Sequence, residues 1–226
     1  MKISGMEKLT LTDYPGHLAC ILFTQGCNFK CPFCQNSPLI AVHDEGDISE
    51  EYVFNYLNKR KNVLEGVVVS GGEPTVQKDL PEFIEKIKSL GLKVKLDTNG
   101  SNYLMLKDLL DRNLLDYVAM DLKNDFEGYP DIVGVKPNMD NIKKSMDLLK
   151  SSKIPFEFRT TIIKEFHDMD KLKKLVKLVD GSKYFIQNFQ DSEFVVDKSL
   201  HEFSSEELEE IKETFKDFTN VEVRGI

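Results

Sequence analysis

Short runs rich in Val, Ile, Leu, Phe and Tyr alternate with amphipathic stretches almost to the end of the chain, and this alternation limits the fold more than any other feature. Two parallel strands can be joined only by a crossover long enough to hold a helix, so the pattern is that of a parallel sheet covered by helices. Strands are predicted at Leu18–Thr24, Gly66–Ser70, Lys93–Asp97, Tyr117–Asp121, Phe156–Ile163, Tyr184–Asn188 and Val221–Arg224. Helical patterns fall between them at Glu50–Lys61, Leu80–Leu90, Tyr103–Asn113, Met139–Ser151, Met169–Val179 and Ser205–Lys216, with Ser49, Asp79, Asn102 and Ser204 as expected N-caps. Five or six β-α units in 226 residues fall short of the eight in a closed barrel. The expected class is therefore α/β, an open or partial barrel. No linker, charge block or recurring motif divides the sequence, and one domain over residues 1–226 is expected.

Charge excludes some partners. Thirty Lys and Arg against 38 Asp and Glu leave a formal net charge of −8, which disfavours a phosphate-binding surface, and no nucleic-acid partner is expected. The longest apolar stretches, such as Leu18–Phe23, are far below the roughly 18 residues that span a bilayer. Lys2, Glu7 and Lys8 stand where a secretory signal would need an apolar core. The expectation is a cytoplasmic protein with no membrane partner.

All four cysteines lie between positions 20 and 34, too few for a disulfide scaffold. Cys27, Cys31 and Cys34 follow the first predicted strand as C-x3-C-x2-C, a spacing that lets three sulfurs converge within one tight loop. Convergent thiolates select zinc or an iron–sulfur cluster. A structural zinc site wants four protein ligands, and the fourth could come only from Cys20, inside the preceding strand; otherwise Cys20 is core. Three thiolates on a four-iron cluster instead leave one iron open to a substrate or cofactor.

With this triplet the chain resembles the radical S-adenosylmethionine (SAM) superfamily, whose fold is a partial (β/α)6 barrel with an open side. The resemblance implies a 4Fe-4S cluster on Cys27, Cys31 and Cys34, with SAM chelating the unique iron and Phe33 beside the adenine. One electron from the reduced cluster would then break the sulfonium–C5′ bond. Val67–Val69 run into Ser70-Gly71-Gly72-Glu73-Pro74, which matches the family's GGEP motif; its backbone and Glu73 would hold the SAM amino group, and a valine at Gly72 is expected to crowd SAM while sparing the cluster. Asp97 in Asp97-Thr98-Asn99-Gly100 and Asp121-Leu122-Lys123 resemble the glycyl radical enzyme activating branch. There Asp97, Asp121 and Lys123 would surround the SAM carboxylate and ribose, the two carboxylates accepting hydroxyl protons or ligating a monovalent cation.

Arg159 resembles a basic position of that branch, or is an interior arginine paired with an acid. Asn188 and Gln190 stand where some relatives carry a SAM-contacting His. The segments Leu11–His17 and Phe23–Cys27 resemble the activating proteins of anaerobic ribonucleoside-triphosphate reductase, with Asp13 and Tyr14 either bordering a peptide access path or forming a plain turn.

The resemblance implies removal of the pro-S hydrogen from a glycine Cα of a partner, an anaerobic ribonucleotide reductase or related glycyl radical enzyme, with a flavodoxin or ferredoxin as electron donor. No catalytic base is required of the chain. The absence of Cys after position 34 excludes auxiliary clusters. Two alternatives stay open: a reaction on a small molecule, as in 7-carboxy-7-deazaguanine synthase, with the tail Val221–Ile226 as a closing lid or a last strand, and a zinc-stabilised binding module.

Overall fold

A computed structural model describes residues 1–43 and 46–225. Its strands are β1 (Ile3–Thr10), β2 (Ala19–Thr24), β3 (Gly66–Gly71), β4 (Lys93–Thr98), β5 (Tyr117–Asp121), β6 (Phe156–Ile162), β7 (Tyr184–Asn188) and β8 (Val221–Arg224). The helices are α1 (Glu50–Arg60), α2 (Leu80–Ser89), α3 (Tyr103–Asp111), the single turn α4 (Tyr129–Ile132), α5 (Met139–Ser151), α6 (Met169–Val179) and α7 (Ser205–Thr214). One eight-stranded sheet carries the strands in sequence order, β2 to β8 parallel and β1 antiparallel to β2. Neither edge strand pairs with the other, which leaves the barrel open as expected. Val221–Arg224 is the last strand rather than a lid, and Ile226 lies outside the described residues.

β1 has no counterpart among the expected strands. Only Ile3 and Thr10 are fully buried in it, as befits an edge strand, so it carries no apolar run to read. The caps at Ser49, Asn102 and Ser204 form, the last as a reciprocal capping box with Glu207. Asp79 does not cap α2, because its backbone (φ −91°, ψ 10°) is close to helical; its carboxylate accepts from the Met1 ammonium instead.

Strand parity divides the molecule into two layers. Cys20, Leu22, Val67, Val69, Val94, Leu96, Val118 and Met120 face outward into the apolar layer beneath the helices. The alternate positions point into the barrel. At its lower end Tyr14, Ala19, Ile21, Val68 and Tyr117 pack as a separate apolar plug. The Tyr14 ring sits edge-on to Tyr117 and presses on Gly66, where a Cβ would collide with it. Asp13 and Tyr14 thus lie at the amino-terminal edge of the parallel strands and border no path to the opposite edge. Their segment is a turn that closes the barrel floor.

Candidate cofactor site

The carboxyl-terminal edge of β2 to β6 surrounds a cavity of about 220 Å³. Cys27, Cys31, Phe33 and Cys34 form one wall, Gly71, Gly72 and Glu73 another, and Asp97, Asp121 and Lys123 a third, with Arg159 between the two aspartates. Of the residues expected at a site, Pro74 is buried but does not line the cavity; it begins the single helical turn that follows Glu73. Asn188 and Gln190 do not line it either. The Asn188 amide brackets the backbone of Phe203, and the Gln190 carbonyl accepts from Gln35 Nε2 at 2.7 Å.

Tertiary contacts define the cysteine loop. Gly26 N–H donates to the Leu39 carbonyl at 2.8 Å and Cys27 N–H to Ile40 at 3.2 Å; Lys30 N–H donates to Val133 at 2.9 Å. Phe29 meets Tyr129 edge-on at 6.5 Å between centroids, which shields the loop from below. Asn28 links the loop to the β4 exit by donating to Ser101 and accepting from Asn99. Burial pushes the Cys27 thiol up to about 12 and the Cys31 thiol up to about 11, with Lys123 opposing the rise at both. Such thiols give up their protons to a metal rather than to water at neutral pH.

Among the described residues no group of three or more His, Cys, Asp or Glu side chains gathers closely enough to hold a single metal ion. Four sulfurs around one zinc at about 2.3 Å each would have to gather that closely. Cys20 is fully buried on the helix-facing side of β2, its thiol pushed up to about 12 by burial, and strand parity turns it away from the barrel. It supplies no fourth ligand, which removes the basis of the zinc-module reading.

The glycine turn is shaped by its neighbours as much as by any ligand. Gly71 has φ +115°, and a Cβ on it would meet the backbone of Thr24. A Cβ on Gly72 would run into the carbonyl of Gly26, immediately before Cys27. Contrary to the sequence expectation, a side chain at position 72 therefore strikes the cysteine loop. Glu73, only 1% exposed, accepts from Thr98 Oγ1 (2.7 Å), Asn99 N–H (2.6 Å), Thr75 N–H (3.1 Å) and Thr75 Oγ1. Its carboxylate is consumed in tying the turn to β4, although burial pushes its pKa up. What it leaves facing the cavity is chiefly backbone.

Between the apolar plug and the cavity lies an ionic layer. Asp121 accepts from Arg159 Nε at 2.9 Å and from Lys123 Nζ at 3.0 Å. Burial works against the Asp121 charge, but these two cations outweigh it and hold the carboxyl far below the usual range. Arg159 is thus an interior arginine paired with acids, at the cavity wall. Lys123 Nζ also stands 5.8 Å from the Phe33 ring centroid.

His167, 3% exposed, braces this edge from the β6 exit. Its Nδ1 accepts from Ile163 N–H at 3.1 Å, so Nε2 carries the proton and donates to the Lys123 carbonyl at 3.1 Å. Burial lowers its pKa to about 4. The folded value lies below that of an unfolded histidine, so this contribution to stability is complete above about pH 6.5 and is lost as pH falls toward 4. Chemical denaturation is expected to show ~2 kcal/mol less stability from this group at pH 5 than at pH 7. The His167→Gln variant should lack that component of the pH slope; an unchanged slope would show that His167 does not titrate in this way.

A further contact bears on access. The segment between β7 and α7 reaches across the open side, with Asp197 N–H donating to the Pro32 carbonyl at 3.0 Å and Ser37 Oγ to that of Phe194. The open side is bridged by this strap. Among the described residues no helix is long and apolar enough to cross a membrane.

Comparison with known proteins agrees with this geometry. The Radical SAM superfamily model matches residues 21–179. A Methanocaldococcus jannaschii protein named as a glycyl-radical enzyme activating enzyme is 35% identical, the match covering 99% of this chain and 96% of that one. The pyruvate formate-lyase-activating enzyme of Listeria monocytogenes is 29% identical over 54% of this chain and 53% of its own. Among solved structures, SuiB of Streptococcus suis bound to S-adenosylmethionine superposes with a TM-score of 0.71 at 18% identity, over 89% of this chain; the chain spans about half of SuiB, 48%. A family model matched across most of the chain and a relative aligned along nearly its whole length show that this protein belongs to the radical SAM superfamily, enzymes that use a 4Fe-4S cluster and S-adenosylmethionine.

Proposed function

We propose that this chain is an activating enzyme that generates a glycyl radical on a partner protein. The observation that carries the reading is the placement of Cys27, Cys31 and Cys34 on the same cavity as the Gly71-Gly72 turn and the Asp97, Asp121 and Lys123 side chains, combined with end-to-end similarity to a relative named for that activity. The residues fit the two groups the family uses. Three thiols on one wall suit three irons of a cluster, and the glycine turn, packed against Thr24 and Gly26, lines the same cavity where SAM would lie. When bound, these groups supply an electron and, from SAM, the 5′-deoxyadenosyl radical that takes a hydrogen atom.

The chain's own residues bind and orient. In this reading the backbone of Gly71 to Glu73 holds the SAM amino group, while the Glu73 carboxylate keeps that turn in register with β4. Phe33 flanks the adenine, and Asp97, Asp121 and Lys123 surround the carboxylate and ribose. Phe29 and Tyr129 keep water from beneath the cysteine loop. Hydrogen-atom transfer needs close placement rather than a proton acceptor, so no side chain is assigned as a base.

The partner is, on the resemblance of Leu11–His17 and Phe23–Cys27, an anaerobic ribonucleotide reductase, with a reduced flavodoxin or ferredoxin as electron source. The first of these segments lies on the barrel floor, so it supports the partner as a mark of relatedness and not as a contact surface. One domain over residues 1–226 completes the proposal.

Anoxic reconstitution with iron and sulfide, followed by reductant, SAM and the reductase, is expected to give the doublet of a glycyl radical in electron paramagnetic resonance together with 5′-deoxyadenosine. Abundant 5′-deoxyadenosine tied to turnover of a small molecule, with no doublet on any glycyl radical enzyme offered, would overturn the proposal in favour of a small-molecule reaction.

A further inference from the structure

Asp97 and Asp121 are the two carboxylates expected either to meet SAM hydroxyls or to ligate a monovalent cation. All four of their oxygens already face donors of the chain itself. Lys95 Nζ pairs with Asp97 Oδ1. Asp97 Oδ2 accepts from Ser70 Oγ at 3.1 Å and lies 3.6 Å from Arg159 Nη1. Asp121 Oδ1 takes Arg159 Nε and Oδ2 takes Lys123 Nζ.

Lys95 is the unexpected member. It is 1% exposed, a burial that lysine almost never shows without a partner. It lies on the inward face of β4, two residues before Asp97 and beside Val68 and Tyr117 in the strand register, so its ammonium reaches Asp97 from below. Among the described residues the other acidic side chain of this layer is Glu157, 4% exposed, which accepts from Tyr117 Oη at 2.6 Å and lies beside Arg159. Lys95, Lys123 and Arg159 thus face Asp97, Asp121 and Glu157, three charges against three. Glu73 stands apart on its four neutral donors. A metal ion between Asp97 and Asp121 would add an uncompensated charge to a low-dielectric interior, on carboxylates that protein cations already face.

We propose that Lys95, with Arg159 and Lys123, takes the place of a monovalent metal ion in this site, and that Lys95 is a positioning residue that holds Asp97 toward SAM from inside the barrel. The inference rests on the SAM site proposed above.

The test is calorimetric titration of SAM into the cluster-loaded protein, in tetramethylammonium chloride and in potassium chloride at equal ionic strength. The wild type is expected to bind SAM equally in both salts. Lys95→Met should lose at least about tenfold in affinity in tetramethylammonium, where Asp97 is left undercompensated, and should regain part of it as potassium is added. The double variant Lys95→Met/Asp97→Asn, with both charges removed, should show no potassium response. A saturable potassium requirement in the wild type would overturn the proposal, as would Lys95→Met binding SAM with unchanged affinity in tetramethylammonium. Should Lys95→Met fail to fold, the wild type and the double variant still decide the matter. A wild type that takes up its cluster but binds no SAM in either salt would instead overturn the site reading on which this inference depends.

Discussion

Cys31→Ala is expected to yield protein whose iron and sulfide content falls to background and whose cleavage of SAM is abolished, while the chain stays folded. The loop around Cys31 is fixed by backbone contacts that survive the substitution, namely Gly26 to Leu39, Cys27 to Ile40 and Lys30 to Val133. Two remaining thiols hold a four-iron cluster too weakly to survive purification, since metal binding must overcome proton binding at thiols that burial keeps high. Cys27→Ala and Cys34→Ala should behave alike. Cys20→Ala is the control. It removes a small side chain from the layer beneath the helices, at a cost of about 1 kcal/mol, and should keep full iron content and SAM cleavage. Iron and sulfide analysis of anoxically reconstituted variants, beside chromatography of SAM products, checks both arms. Loss of iron from Cys20→Ala would restore the four-thiolate site that strand parity rejects.

For Gly72→Val the expected result is a double loss. A valine there cannot avoid the Gly26 carbonyl, and it also crowds the carbonyl of Leu39, which closes the cysteine loop. The hydrogen bond from Glu73 N–H to Gly26 O, 2.7 Å, would have to break, and with it the registry between the glycine turn and the loop that begins at Cys27. Overpacking of this kind costs roughly 1–3 kcal/mol, enough to lower SAM affinity about tenfold and to reduce cluster occupancy with it. Iron content measured on the samples used for SAM titration separates the possibilities. Full iron with weakened SAM binding would mean that position 72 faces the ligand alone, as the motif by itself suggests.

The two variants show where sequence reading succeeds and where it stops. The C-x3-C-x2-C spacing and the Gly-Gly-Glu-Pro turn were legible because their chemistry is local: a few consecutive residues carry donors and backbone freedom together. The parallel strands were legible because burial on both faces forces an apolar run. The edge strand β1 left no such mark, with one side half exposed. Lys95 did leave a trace, since Lys95 and Asp97 alternate with Val94 and Leu96 in a strand whose outer face is apolar, which turns both charged residues inward. That parity states that they are interior, not that they pair.

By itself, then, the sequence determined the order of the parallel strands and of the longer helices between them, the three thiols and the turn that faces them, since each depends on neighbours within a few positions. Only the tertiary structure decided that Cys20 points away from the site, that Tyr14 closes the floor, that Glu73 is spent on β4, and that Asp97 and Asp121 are already paired with Lys95, Arg159 and Lys123. The physical reason is shared by all four. A charge or a thiol takes its role from what stands within a few ångströms of it, and in a barrel those neighbours come from strands far apart along the chain, such as β4, β5 and β6 around Arg159.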